Sequence, residues 1–281
     1  MNTRYYLTFY IILLLIIPSI SRGLPEAQDT TWVKVDDGLF VGEFVAAQKS
    51  IVGNSRITVI KIDPKKYSFR LLCASGLNES KNLTAKEWCQ KYGLIAAINA
   101  GMFQTDYKSN VGYMKNADYI NNPKISSKYH SLAAFNPIDT TKPNFRIYDA
   151  DEENIQEIIK SYNTVVQNLR LIKRPSKNRW SKQNKKWSEA ALGEDKSGNV
   201  LFIFSRSPYS MHDFNDILIS LPIDIVCAHH LEGGPEASLY FSHKNKKIES
   251  FGSYETDFNE HDTNDRYWPI PNVIGFIKRT E

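Results

Sequence analysis

Short runs of β-branched and aromatic residues, most of them closed by a turn signal, recur along this chain and constrain its fold more than any other feature. Ile57 to Ile62 and Tyr67 to Leu72, split by Asp63-Pro64, predict a hairpin. Further strands are expected at Leu94 to Ile98, Ser131 to Phe135, Val165 to Ile172, Trp187 to Leu192, Val200 to Phe204, Ile223 to Ala228 and Val273 to Ile277. Helices interrupt them irregularly. Thr84 and Glu87 form a capping-box pattern ahead of Trp88 and Tyr92, with Gly93 as the stop. Glu152 to Lys160 predicts a second helix. Ser210 and Asp213 open a third, with Met211, Phe214, Ile217, Leu218 and Leu221 on its apolar face and Pro222 at its end. Strands outnumber helices without the alternation of a doubly wound sheet. The expectation is an α+β fold: a mixed, largely antiparallel β-sheet core with packed helices.

The N-terminus reads as an export signal. Arg4 precedes an apolar run, Tyr5 to Ile17, and Pro18 breaks it before the small residues Ser19 and Ser21. The run is shorter than the ~20 residues that span a bilayer. Residues 1–21 are therefore expected to be a signal peptide, with an uncleaved anchor as the alternative. No cysteine follows that would take a lipid. Residues 22–281 are expected to form a single domain, exported to a periplasmic or extracellular location, with no stable membrane span. Apolar residues make up 42% of the chain, enough for a full core. A net charge of +4 is too small and too dispersed for nucleic acid. The basic residues Lys173, Arg174, Lys177, Arg179, Lys182, Lys185 and Lys186, interleaved with Trp180 and Trp187, read either as a solvated loop or as a grip on an anionic polymer. With three cysteines, Cys73, Cys89 and Cys227, at least one thiol stays free if pairing is within the chain. Cys227 is expected to be buried and inert.

Three places offer chemistry. At Asn99-Ala100-Gly101-Met102-Phe103 a buried strand ends in small residues. Gly101 permits close approach of a ligand, Asn99 both donates and accepts, and Phe103 suits a sugar face. The alternative is an ordinary strand-to-loop turn. At His230 to Ser238, Gly233-Gly234-Pro235 forces a sharp turn between Glu232 and Glu236, and glycoside chemistry uses paired carboxylates. His229 and His230 raise metal ligation, but no ligand spacing supports it, so neither metal nor cofactor is expected. At Gln167-Asn168-Leu169-Arg170, polar residues interrupt an apolar strand. Alternation turns Arg170 away from Leu169, where it either meets solvent or grips a phosphodiester. The chain has no G-x-S-x-G, no phosphate-binding Gly-Lys-Ser/Thr loop and no H-E-x-x-H, which argues against an α/β-hydrolase, an NTPase and a zincin.

Taken together and in order, these three places resemble the phosphodiester glycosidase family over Trp32 to Ile277. Asn99 to Phe103 is similar to its strand-then-N-A-G-x-F segment, Gln167 to Arg170 to its glutamine–arginine strand, and Leu231-Glu232-Gly233-Gly234 to its L-D-G-G turn. Two departures stand out: Glu232 replaces the usual Asp, and Pro235-Glu236 stands where Gly or Ser is common. The resemblance implies a bacterial-type exported hydrolase acting on a sugar-1-phosphodiester in a glycan, glycolipid or sugar-phosphate polymer. It implies Glu232 as base or oxocarbenium stabiliser, Arg170 on the departing phosphate and His230 as a candidate acid. Asn99, Gly101, Phe103, Gln167, Gly233, Gly234, Glu236 and Ser238 would hold the substrate. The competing expectations are a glycan-binding module without chemistry and an envelope interaction protein using the basic loop.

Overall fold

The computed structural model describes Met1 and residues 32–280. The expected signal peptide lies outside the described residues. Among those residues, three antiparallel sheets pack around one common core. The largest runs in the order Val33–Asp36, Leu39–Val45, Arg56–Ile62, Val200–Tyr209, Trp187–Asp195, Ile225–Gly233, Arg170–Lys173, Lys177–Asn178. The second holds Tyr119–Asn122, Met114–Asn116, Tyr162–Asn168, Ser131–Pro137 and Phe145–Asp149. The third holds Lys246–Phe251, Ser238–His243, Ala96–Asn99, Asn272–Lys278 and Tyr67–Cys73. The fold is thus β-dominated, with three short helices among the described residues, Ala85–Tyr92, Ile155–Ser161 and Met211–Ser220.

Phe69 marks where the sheets meet. Its ring lies 5.1 Å from Phe145 and 6.0 Å from Phe135 of the second sheet, 6.2 Å from Phe202 of the first, and 6.2 Å from Phe276 of its own. Truncating such a buried Phe costs ~3–5 kcal/mol. Each helix covers the outer face of one sheet. Phe214 and Leu218 pack on the first, Trp88 on the third, and Ile158 on the second. The strands therefore have two apolar faces. In Ser131–Pro137, Ala133 and Phe135 face the common core while Leu132 and Ala134 face the helix Ile155–Ser161. That is why these strands read as unbroken apolar runs.

The helix ends follow the sequence. Thr84 and Glu87 form the capping box and Gly93 adopts the left-handed conformation. Ser210 caps Met211–Ser220. The second helix starts later than expected, because Asn154 accepts from Gln156 and Glu157 as its cap.

Two connections differ from expectation. Arg56–Ile62 and Tyr67–Cys73 are strands but not a hairpin. The first pairs with Leu39–Val45 and Val200–Tyr209, the second with Asn272–Lys278. Both edges of the first strand are occupied, and the turn closing on Asp63 O carries the chain to another sheet. The expected single strand from Val165 to Ile172 is two strands. Tyr162–Asn168 belongs to the second sheet and Arg170–Lys173 to the first. The chain changes sheets at Leu169, whose N–H donates to Asn168 Oδ1 at 2.8 Å.

All three cysteines are buried and free. Burial pushes the Cys227 thiol well above its ordinary range. Among the described residues no helix is long and apolar enough to cross a membrane.

Candidate active site

The strand Ile225–Gly233 runs between Trp187–Asp195 and Arg170–Lys173 and ends in a single turn, Gly234–Glu236. Its pairing slips between Ala190↔Glu232 and Ala191↔His230, which leaves Leu231 as an extra residue, the mark of a β-bulge. Just there a cavity of about 350 Å³ opens. His230, Glu232, Gly233, Glu236 and Glu255 line it on the polar side; its apolar wall includes Phe103, Trp180 and Trp187.

His230 is held from behind. Its Nδ1 lies 2.5 Å from Glu189 Oε1, and Trp187 Nε1 donates to Glu189 Oε2 at 2.7 Å. Both His230 and Glu189 are almost wholly buried. Burial raises the Glu189 carboxyl pKa, against the opposing pull of His230 and of the Trp187 bond. Glu232 is half-buried and ringed by protein. Burial pushes its carboxyl well above the usual range, opposed by the Gly233 N–H it accepts at 3.0 Å. The neighbouring Glu236, Glu189 and Glu255 add to the rise. Burial, with Glu255 nearby, lifts Glu236 to about 7, and burial also raises Glu255. Glu236, at about 7, and Glu232, pushed well above the usual range, are thus placed to carry a proton near neutral pH, as general acids do.

The glycines serve close packing. A Cβ on Gly233 would sit 2.6 Å from Trp187 Cδ1, and one on Gly234 would meet Glu255 Oε2. Gly234 also has φ +64°, which favours glycine. A Cβ on Gly101 would collide with Asn110 Oδ1, so Gly101 makes room for a protein side chain.

Asn99 and Ser238 support the turn. Asn99 Nδ2 donates to Glu236 O at 3.0 Å, Ser238 N–H donates to Asn99 Oδ1 at 2.7 Å, and Ser238 Oγ–H donates to Glu236 O at 3.0 Å. Phe103, His230, Glu232, Gly233 and Glu236 line the cavity together; Asn99, Gly101, Gly234 and Ser238 stand behind it.

Gln167 and Arg170 depart from expectation. Gln167 is fully buried. Its Nε2 donates to Ser126 O and Tyr129 O, and its Oε1 accepts from Tyr113 and Ser126 N–H. With its amide saturated, it ties down a loop and has nothing left for a substrate. Arg170 Nη1 donates to Asp149 at 2.7 and 2.8 Å and to Asp151 at 2.7 Å. It opens on a different cavity, of about 50 Å³, with Asp149 and Lys173. The change of sheet at Leu169 explains this: Leu169 lines the larger cavity and Arg170 turns to the other face.

The basic loop divides likewise. Trp180 and Trp187 line the cavity, while Lys173 pairs with Asp149 and Glu152, Arg174 with Glu194, and Lys185 with Asp257. His229 points away from His230, to Ser131 Oγ at 2.9 Å; burial lowers its pKa to about 3. Among the described residues no group of three or more His, Cys, Asp or Glu is placed to hold a metal ion.

Glu189 and Glu255 were missed by sequence reading. Glu189 left a signal, a lone carboxylate inside the apolar run from Trp187 to Leu192; Glu255 left none.

No curated protein sequence matches the chain. Solved structures share the fold. The zebrafish N-acetylglucosamine-1-phosphodiester alpha-N-acetylglucosaminidase catalytic domain, auto-inhibited by its pro-peptide, is similar at TM-score 0.59 and 13% identity, covering 90% of this chain and 88% of that one. A hypothetical protein from Synechocystis is similar at TM-score 0.59 and 13% identity, covering 90% of this chain and 64% of that one. The profile of the phosphodiester glycosidase family matches residues 92–277. With the bulged strand, the carboxylate turn and the cavity all inside that match, the chain belongs to the phosphodiester glycosidase family.

Proposed function

We propose that this chain is an exported hydrolase that cleaves the glycosidic bond of a sugar-1-phosphodiester in a glycan or glycolipid. One observation carries the reading: His230, Glu232 and Glu236, three proton-carrying side chains, line one cavity of about 350 Å³ with aromatic walls. Family membership supports the reaction class, and the apolar run at Tyr5 to Ile17 supports export.

The chemistry follows from the proton positions. Water attacks the anomeric carbon and the C–O bond to the phosphate oxygen breaks. Glu232, which holds its proton, is the general acid and gives it to the departing oxygen, in place of the base suggested by sequence alone. His230, oriented by Glu189, takes the proton from the attacking water through Nε2. Glu236 and Glu255, as they ionise, stabilise positive charge on the flattened sugar ring. Arg170 has no part in these steps.

The withdrawal of Arg170 into ion pairs favours a second reading, a glycan-binding module that does not turn over. Hydrolysis of a panel of chromogenic sugar-1-phosphodiesters separates the two. The hydrolase reading expects release by the wild type and loss of more than ~100-fold in Glu232→Gln. Binding of glycan with no release from any member of the panel would leave the module.

A further inference from the structure

Consider what the active cavity offers a ligand by hydrogen bonding. Among the described residues that line it, three carry side-chain N–H groups. Trp180 Nε1 already donates to Arg170 O at 2.7 Å, and Trp187 Nε1 to Glu189 at 2.7 Å. His230 Nδ1 faces Glu189 at 2.5 Å, so in the neutral ring the proton stays on Nδ1 and Nε2 presents a lone pair. Nε2 makes no protein hydrogen bond, and His230 is 2% exposed. The remaining polar side chains of the wall are Glu232, Glu236 and Glu255, and no Lys or Arg stands among the lining residues. Lys185, whose charge reaches Glu255, is exposed and paired with Asp257 at 3.1 Å. Apart from the proton that Glu232 keeps for the departing oxygen, every free polar side chain of the cavity is an acceptor once Glu236 and Glu255 ionise. The apolar part of the wall adds the rings of Trp180, Trp187 and Phe103, which attract cations through their negative faces.

We infer that this cavity selects a substrate bearing a cationic amine: the carboxylate-lined wall and aromatic faces match an ammonium group and, beyond the Glu232 proton that serves the departing oxygen, give no side-chain donor to a neutral acylamide oxygen. The inference rests on the reading of this cavity as the active site and names the substrate class. The amine sits either on the sugar or on the alcohol beyond the phosphate; both present the same chemistry to these residues. Binding such a cation stabilises the ionised carboxylates, so affinity rises as Glu236 loses its proton around its value of about 7. Of the titratable groups around Glu236, Glu255 on the segment beyond Phe251 and Glu232 on the strand Ile225–Gly233 couple to it directly, while Glu189 on Trp187–Asp195 couples to Glu232, and His230 and Lys185 to Glu255.

Two probe pairs test this by calorimetry on the mature chain. The first is choline against its uncharged isostere 3,3-dimethylbutan-1-ol. The second is glucosamine against N-acetylglucosamine at pH 7. The cationic member is expected to bind at least about tenfold more tightly in one pair or both, and the favoured pair tells whether the amine belongs to the alcohol or to the sugar. Choline, whose charge is fixed, is expected to bind more tightly at pH 8 than at pH 6 wherever it is the favoured cation. Glu255→Gln is expected to narrow the preference; Asp224→Asn, an exposed carboxylate paired with Lys196 outside the cavity, is expected to leave it. Equal affinity within both pairs, or tighter binding of the neutral members, overturns the inference. Its failure is separable from that of the hydrolase reading. A wild type that hydrolyses neutral sugar phosphodiesters without charge preference sinks the inference alone. Charge-selective binding without hydrolysis sinks the hydrolase alone.

Discussion

Glu189 Oε1 lies 2.5 Å from His230 Nδ1, and the pair spans two adjacent strands of one sheet, so the sheet itself fixes the orientation of the imidazole. Trp187 Nε1 holds the other carboxylate oxygen. The chain thereby places a polar triad, Trp187–Glu189–His230, on the wall of an aromatic cavity. Buried polar groups are costly unless bonded, and each member here satisfies the next. What remains unbonded is Nε2, the atom the proposed reaction uses.

Glu189→Gln keeps the shape and removes the charge that selects the Nδ1–H tautomer. A fall in kcat on the order of 100-fold or more is expected, with KM changed little, since the role is realised in proton transfer and not in binding. Steady-state kinetics on a sugar phosphodiester checks it. A change confined to KM would assign Glu189 to binding.

Arg170→Ala separates structure from catalysis. The substitution leaves Asp149 and Asp151 without their guanidinium, and Asp149 is half-buried. Stability is expected to fall by about 1–3 kcal/mol in denaturant unfolding, with kcat/KM within about threefold of wild type. A loss of more than ~100-fold at unchanged stability would restore the phosphate role that sequence alone suggests.

The difference between those expectations shows what the sequence carries and what it hides. Capping patterns are local, so Thr84–Glu87 and Ser210 predict their helices well. Glu232 and Glu236 flank a visible turn. Arg170 was legible as turning away from Leu169, but not toward Asp149 and Asp151, because ion pairing depends on residues about twenty positions away. The change of sheet at Leu169 is likewise invisible, since both strands are buried and equally apolar. Glu255 reaches the cavity from an irregular segment with no periodicity to reveal it.

Glu236 gives a pH signature. Its carboxyl rises from an ordinary 4.5 to about 7 in the folded chain. Between these values the unfolded chain has already lost the proton and the folded chain keeps it. Stability therefore falls as pH rises through this window and stays lowered above it. Glu236→Gln lacks that loss, so its stability relative to wild type is expected to climb from pH 4.5 to 7 and then level, by about 3 kcal/mol. Taking the difference between the two proteins cancels the opposite contribution of His229. That histidine's lowered pKa of about 3 makes stability rise with pH up to its ordinary 6.5. Denaturant melts at pH 4.5, 6 and 8 decide the matter; a difference that does not vary with pH would mean that Glu236 ionises normally.

Gly234→Ala tests whether the Gly-Gly turn exists to admit Glu255. The residue holds φ +64°, where an alanine costs about 1 kcal/mol. The added methyl would also meet Glu255 Oε2 and come within 3.2 Å of Glu255 Cβ. The carboxylate end can swing aside, since it is the tip of a flexible side chain, and it would swing out of the place it holds at the cavity. The expected outcome is a modest stability loss, on the order of 1–2 kcal/mol, together with a weaker preference for the cationic probe than wild type. Gly233→Ala differs, because its methyl would meet the stiff ring of Trp187 at 2.6 Å and has no flexible neighbour to displace. It is expected to cost more stability and to disturb the Trp187–Glu189 bond that orients His230. Paired measurements of unfolding, choline affinity and kcat on both variants separate the two glycines. If Gly234→Ala lowered stability yet left the charge preference intact, the turn would be a backbone device only, and Glu255 would not depend on it for its position.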